Sequence, residues 1–335
     1  MRTARRLIYL GYYFRQLDWQ LLSKFMRHVR DELGWSRLRQ WTYIVRDSLK
    51  FNISILEYYQ FRFFELSAES KHDWAGTGTM YEFHRRANPL ATRDLLQDKR
   101  KFYRAYKEFF KHEVHSLEEM KSEPEIIEKL LAANSKLVFK EATGSCGSGV
   151  SIRPVDQLTS GQLIEFMEAE DFDLVETFVV QHATLNALSP SAVNTVRIFT
   201  QITSDGAYEV LGCRLRISVN SVVDNLAAGN MAAAIDPDTG VVDGPGVFSD
   251  ITRQPAESHP VTDVPIVGFQ VPFWKETLEL VRQASLLHPE NRSVGWDVVV
   301  TEQGPGLIEG NHDWCKLVWQ LPVQRGLRYR LDGCT

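Results

Sequence analysis

The stretch Val294-Gly-Trp-Asp-Val-Val-Val-Thr-Glu-Gln-Gly-Pro-Gly-Leu-Ile-Glu-Gly-Asn311 constrains this chain more than any other. Val298 to Val300 form strands readily, Gln303-Gly-Pro-Gly306 is turn chemistry, and Leu307-Ile308 resumes a strand, so the stretch predicts a β-hairpin. Folding the arms about that turn sets Asp297 roughly opposite Glu309. Glu309 and Asn311 are two residues apart and share a strand face. Two carboxylates and an amide oxygen then converge within the about 5 Å that separates cross-strand neighbours. These are hard oxygen ligands, suited to Mg²⁺ shared with phosphate rather than to Zn²⁺. A surface hairpin with scattered polar residues is the plainer alternative.

At 335 residues the chain exceeds the span of one core, which predicts two or three subdomains. Its net charge of −5 argues against a nucleic-acid binder. The charge is uneven: residues 1–70 hold 12 Lys/Arg against 7 Asp/Glu, which leaves the remainder at −10. Cys146, Cys213, Cys315 and Cys334 show no paired spacing, which predicts free thiols in a reducing cytosol. No stretch is long and apolar enough for a membrane span. Arg2, Arg5 and Arg6 before Leu7-Ile-Tyr-Leu10 do not make a signal peptide, because Arg15 interrupts and no cleavage site follows. A basic, aromatic amphipathic helix there suits either packing on the protein body or resting on a membrane surface.

Residues 1–70 read as helical, with Leu7, Leu10, Tyr13, Phe14, Leu17, Leu21, Leu22 and Phe25 near helical spacing. Asn52 and Ser54 are candidate helix starts. Residues 66–97, with Gly76, Gly78 and Pro89, read as a connector. His112-Glu-Val-His115 has its histidines at i and i+3, not the i and i+4 of a metalloprotease helix, and reads as surface. Helices are predicted over Asp98–Phe110, with Lys99 at its start, and over Glu123–Ala133 behind Pro124.

Strands Leu137–Lys140 and Val150–Ile152 flank a loop holding Gly144, Ser145, Gly147, Ser148 and Gly149. Glycines allow successive N–H groups to face an anion, and Lys140 adds charge. The loop is neither a Walker nor a Rossmann fingerprint. It suits a flap over a triphosphate or a plain glycine-rich turn. Asp173–His182 is an apolar strand turning polar, suited either to holding adenine or to an ordinary core. Val193–Thr200 and Tyr208–Ile217 are strands about Ser204-Asp-Gly206. Arg214 and Arg216 share one face and Arg197 lies on the neighbouring strand, so all three call for anionic partners, whether phosphoryl groups or salt bridges. Ser221–Met231, with Asp224, Asn225 and Asn230, is a candidate substrate loop. Pro272–Leu287 predicts a further helix.

The order Lys99, Lys140 with its glycine loop, the Glu176 strand, Asn194-Thr-Val-Arg197, then Asp297 and Glu309-Gly-Asn311 resembles the ATP-grasp superfamily. Together with Asp224-Asn225 and Gly229 it is similar to the sugar-transfer-associated branch found near polysaccharide and cell-surface glycan genes. The similarity covers roughly residues 95–330. It implies an α+β ATP-grasp fold, two α+β subdomains clasping ATP, behind a helical N-terminal region. The divisions are then 1–94, a lid subdomain over 95–180 and a metal-bearing subdomain over 181–335. By the same resemblance Lys99 and Lys140 contact the α- and β-phosphates and residues 144–149 cap them. Glu176, Thr177, Phe178 and Val179 line the adenine. Asp297, Glu309 and Asn311 hold two Mg²⁺ ions. Arg197 and Arg214 face the transferred phosphoryl group, and Arg216, Asp224, Asn225 and Asn230 lie on the substrate side.

Two departures stand out. The α/β domain that usually precedes the grasp is not apparent. The arginine often placed two residues before the first metal carboxylate is absent, because position 295 is Gly, which shifts that role to Arg197 or Arg214. The implied activity is ATP-dependent carboxylate–amine ligation through an acyl-phosphate, on small-molecule or glycan substrates in the cytoplasm. A phosphotransferase on the same fold, or a non-catalytic nucleotide-binding scaffold at a membrane face, are the alternatives.

Overall fold

The computed structural model describes residues 2–144 and 149–334. Helices α1 (Arg2–Arg15), α2 (Trp19–Leu33) and α3 (Arg37–Phe51) open the chain, followed by α4 (Glu57–Gln60), α5 (Thr77–Ala87), α6 (Leu90–Gln97) and α7 (Lys99–Tyr106). Asp18 and Ser36 cap the starts of α2 and α3 by accepting backbone N–H bonds. Gly34 and Asn52 end them in the left-handed conformation. Asn52 is therefore a helix stop and not the start its side chain suggested. Residues 66–97 are also not a mere connector, since they carry α5 and α6. Gly76 and Pro89, read as loop markers, occupy the N-cap positions of those helices.

The first sheet follows. Strand β1 (Val114–Ser116) leads into α8 (Leu117–Ser122) and α9 (Glu125–Ala133); β2 (Lys136–Lys140), β3 (Val150–Pro154), α10 (Ser160–Ala169) and β4 (Leu174–Thr177) complete it. Its order is β1-β4-β2-β3, antiparallel throughout. Met120, Ile127, Leu130, Leu163 and Met167 from the helices bury Leu137, Phe139 and Val175 of the strands. The strand expected over 173–182 stops at Thr177; Phe178 and Val180 are exposed. The chain then reaches the second sheet, where His182 N–H donates to Val300 O at 2.7 Å.

After α11 (Ala183–Leu188), that sheet is built from β5 (Val196–Ile202), β6 (Tyr208–Ile217), β7 (Met231–Ile235), β8 (Ser293–Thr301) and β9 (Gly304–Asn311), with α12 (Trp274–Leu287) preceding β8 and α13 (Lys316–Gln320) following β9. The order is β7-β6-β5-β8-β9. One face is apolar: Val196, Ile198, Cys213, Leu215, Trp296 and Val298 pack on Val281 and Ala284 of α12 and on Phe102 and Tyr106 of α7. Half of the other face, at Phe199 and Leu211, shares a core with Trp314, Trp319 and the N-terminal helices, including Phe25, Tyr59 and Phe83. The remaining half is polar. The N-terminal region thus supports the sheet that carries the candidate metal residues. Buried Glu57 binds Lys316 Nζ at 2.9 Å across this junction. Of the cysteines within the described residues, Cys213 and Cys315 are unpaired thiols. Among the described residues no helix is long and apolar enough to cross a membrane.

Candidate active site

The hairpin closes tighter than its glycines suggested. Thr301 pairs with Gly304, leaving Glu302-Gln303 as the turn, and Pro305 lies within β9. Proline is tolerated there because β9 is an edge strand. A strict continuation of this register would set Asp297 against Ile308 and Glu309 against Trp296, which points into the apolar core. A bulge between Asp297 and Val298 shifts the pairing by one residue, so Asp297 faces Glu309 and Gly295 faces Asn311. The irregularity thereby moves the second carboxylate onto the polar face.

Asp297 is buried and held by two arginines. Arg197 grips it in bidentate fashion, with Nη2 to Oδ2 at 2.6 Å, and Arg216 Nη1 donates to Oδ2 at 2.9 Å. Burial alone would raise the Asp297 pKa; Arg197 and Arg216 outweigh it and hold the carboxyl down at about 2. Glu309 goes the other way: burial and the Asp297 charge beside it raise its pKa. Asn311 Nδ2 donates to Glu309 Oε1 at 3.2 Å and to Gly295 O at 3.3 Å.

Gly295 explains how the missing arginine is replaced. A Cβ at this position would lie 2.6 Å from Trp314 Cβ and 3.4 Å from Arg197 Cδ. The bare backbone lets Arg197 cross from β5 onto β8 and reach Asp297. Arg214 does not join them. Its guanidinium is buried and donates to Trp319 O, with Nε at 3.0 Å, and burial pushes its pKa down to about 10. Arg214, expected to face a phosphoryl group, lies here against the end of α13 and not beside Asp297.

At the start of α7, Lys99 Nζ donates to Gly144 O at 2.6 Å and to Glu141 O at 3.1 Å. Lys140 Nζ binds Glu176 Oε2 at 2.6 Å. Burial lowers the Lys99 pKa, and its ammonium also feels the charges of Glu309, Lys140 and Glu176, so these groups lie within electrostatic reach of one another. Burial would raise Glu176, but Lys140 and His112 overcome it and hold it at about 2. Gly149 has φ of +70°, and a Cβ there would run into the Glu141 side chain. Ser145, Gly147 and Ser148 lie outside the described residues. Thr177 is bonded to Glu113 through both its N–H and Oγ1. Phe178 lies under the Lys136 ammonium at 5.5 Å, and Val179 is half-buried beside it.

The candidate substrate loop is braced from within. Asp224 accepts from Thr195 N–H at 2.8 Å and pairs with Arg216 Nη2 at 2.7 Å. Asn225 accepts from Ala227 N–H, and Asn230 bonds Val219, Val223 and Asn225. Asp224 therefore aims Arg216 at Asp297, and Asn230 spends its amide on loop shape.

Two residues escaped the sequence reading. His112, taken as surface, is buried with Nε2 3.4 Å from Glu176 Oε2. The apolar Phe109-Phe110 before it and the Val114 strand after it were the available signals. Asn88, inside the supposed connector, donates to Ser293 O and His312 O, both at 2.7 Å, and so clamps the start of β8 to the end of β9. The Asn-Pro pair was its only trace.

Residues 79–334 match the family described as sugar-transfer associated ATP-grasp. No curated protein matches the chain. Among solved structures, the chain is similar to D-cycloserine synthetase (11% identity, 73% of this chain and 74% of that one, TM-score 0.41). D-alanyl-alanine synthetase A of Vibrio cholerae shows 12% identity, 71% and 61% coverage and a TM-score of 0.40. The D-alanine–D-alanine ligase of Coxiella burnetii shows 10%, 65%, 48% and 0.36 in the same order. The chain spans about half the length of several such structures, 45% for the carboxyaminoimidazole ribonucleotide synthetase purK. With the family model spanning most of its length, the chain belongs to the sugar-transfer associated ATP-grasp family.

Proposed function

We propose that this protein is an ATP-dependent ligase that joins a carboxylate to an amine through an acyl-phosphate, in polysaccharide, cell-surface glycan or natural-product biosynthesis. The observation that carries the reading is the facing pair Asp297 and Glu309, with Asn311 beside them and Lys99 and Lys140 across the cleft. Two adjacent carboxyls, buried Asp297 and half-buried Glu309, and a carbonyl oxygen are a donor set for Mg²⁺. The raised Glu309 pKa marks negative charge that a cation would relieve. Asp297, Glu309 and Asn311 would hold two such ions, which neutralise phosphate oxygens when bound.

The chain's own groups do the rest. Lys99 and Lys140 bind the α- and β-phosphates, Glu176 to Val179 line the adenine, and residues 144–149 close over the phosphates. Arg197 and Arg216 face the γ-phosphoryl group. The acceptor carboxylate attacks the γ-phosphorus and ADP leaves. An amine then attacks the acyl carbon and expels phosphate, giving an amide. A carboxylate is a poor electrophile, and phosphorylation supplies its leaving group; positioning and charge neutralisation are what the protein contributes. The substrates are small-molecule or glycan acids and amines. The setting is the cytoplasm, with a peripheral contact to the inner membrane face through the N-terminal helices.

The test is phosphate release with candidate acid and amine mixtures. Glu309→Ala is expected to lower turnover by at least about a hundredfold while circular dichroism stays unchanged. Substantial activity in that variant would reject the metal assignment. A product that retains the phosphoryl group would indicate a phosphotransferase instead.

A further inference from the structure

Far from the cleft, α1, α5, the end of α3 and residues 328–334 enclose a cavity of about 530 Å³. Arg5, Arg6, Arg86 and Arg328 line it, against the acids Glu82 and Asp332. Glu82 is engaged by Arg5 at 3.5 Å. Arg86 and Arg328 have no ion-pair partner among the described residues. Asn52 also lines the cavity. An unmatched excess of guanidinium groups around a hollow calls for an anion.

The surface beside the cavity is apolar. On α1, Ile8 is 71% and Tyr12 56% exposed, and at helical spacing they share a face with Arg5 and Arg15. Tyr9 packs edge-on against Tyr81 of α5 with ring centroids 6.0 Å apart, and Tyr81 is itself half exposed beside Arg85. Arginines flanking exposed aliphatic and tyrosine side chains match a bilayer interface, where phosphates meet acyl chains.

We propose that this face docks on an anionic phospholipid bilayer, with a lipid phosphate seated between Arg86 and Arg328 and with Ile8 and Tyr12 entering the acyl boundary. The proposal deepens the membrane placement given above and is independent of the ligation chemistry.

The test is flotation of the full chain with phosphatidylcholine vesicles, with and without phosphatidylglycerol. Binding is expected only to the anionic vesicles. Each cation near such a surface is worth on the order of fivefold, so Arg86→Gln with Arg328→Gln lowers the partition coefficient roughly thirtyfold. The Arg86→Lys, Arg328→Lys pair retains most of the binding, and Ile8→Asp weakens it about tenfold or more. All variants bind an ATP analogue as the unmodified chain does, which separates loss of this face from loss of the fold or of the ligase site. Equal binding to neutral vesicles, or no loss in the glutamine pair, overturns the proposal. So does equally tight binding of free glycerol phosphate, which would mark a soluble-ligand site. A dimer that Ile8→Asp splits, with no vesicle binding by the unmodified chain, overturns it in favour of a second copy.

Discussion

His84 is buried beside Trp314, with ring centroids 5.0 Å apart, and its Nε2 has no hydrogen-bond partner. Burial, reinforced by His312 and Lys316, pushes its pKa from 6.5 down to about 3. Between those values the unfolded chain carries a proton that the folded chain refuses. Stability is therefore lost as pH falls below about 6.5, at up to about 1.4 kcal/mol per pH unit from this group. His84→Phe removes that dependence. Urea unfolding at pH 7 and pH 4 should show a smaller acid loss in the variant; an identical loss would mean that the ring accepts its proton in the fold. Asp297 loses stability later in the same titration, because its folded value of about 2 lies below the ordinary 3.8. No residue-level signal in the sequence announces His84. Its isolation is a product of packing, whereas the Asp297 and Glu309 charges were legible from their spacing alone.

At the scale of elements, the β8–β9 hairpin shows what spacing conveys and what it does not. Asp297 opposite Glu309 was legible because a turn separates two β-rich runs. The bulge was not, since the glycines moved the apparent turn two residues along and no residue marks where the register slips. Strand β6 was read at its observed limits, because Cys213, Leu215 and Ile217 alternate with Gly212, Arg214 and Arg216. The alternation breaks at Val210–Leu211, where a bulge against β5 turns Leu211 to the other face. Helices α5 and α6 were missed because Gly76 and Pro89, as caps, resemble loop residues. The fit of Trp314 on Gly295 yields a prediction. Gly295→Ala sets its Cβ 2.6 Å from Trp314 Cβ and should cost about 1–3 kcal/mol through overpacking, read as a lower urea midpoint with unchanged slope. It should also loosen Arg197, so nucleotide turnover falls with stability. A neutral result would show that Trp314 can swing away freely.

Across the whole molecule, the N-terminal helices share one core with the sheet that carries Asp297 and Glu309, and the two are expected to unfold as one cooperative body. Their shared core runs from Phe25 to Trp319, and Gln320 bonds both the N–H and the C=O of Ala75 at 3.0 Å. Lys316 is held charged against burial by Glu57, whose own pKa is lowered despite burial, chiefly through Lys316. Removing one partner strands a buried charge. Glu57→Gln and Lys316→Met should each cost about 3–5 kcal/mol, and the double variant less than their sum. Additive costs in a double-mutant cycle would mean that the two side chains act separately. This dependence had no sequence signature, because helical periodicity reveals an apolar face and not the element that covers it.

The joint at residues 178–180 has a mechanical consequence. Val180 is 71% exposed, and the core of the first sheet is separate from that of the second. The smaller unit is therefore expected to rock on this short tether, and under the proposed function a nucleotide held between the two sheets would act as a splint. Chymotrypsin cutting after Phe178 should be slowed by ATP and Mg²⁺ together. Cleavage at the same rate with and without them would show that the tether stays rigid throughout the reaction cycle.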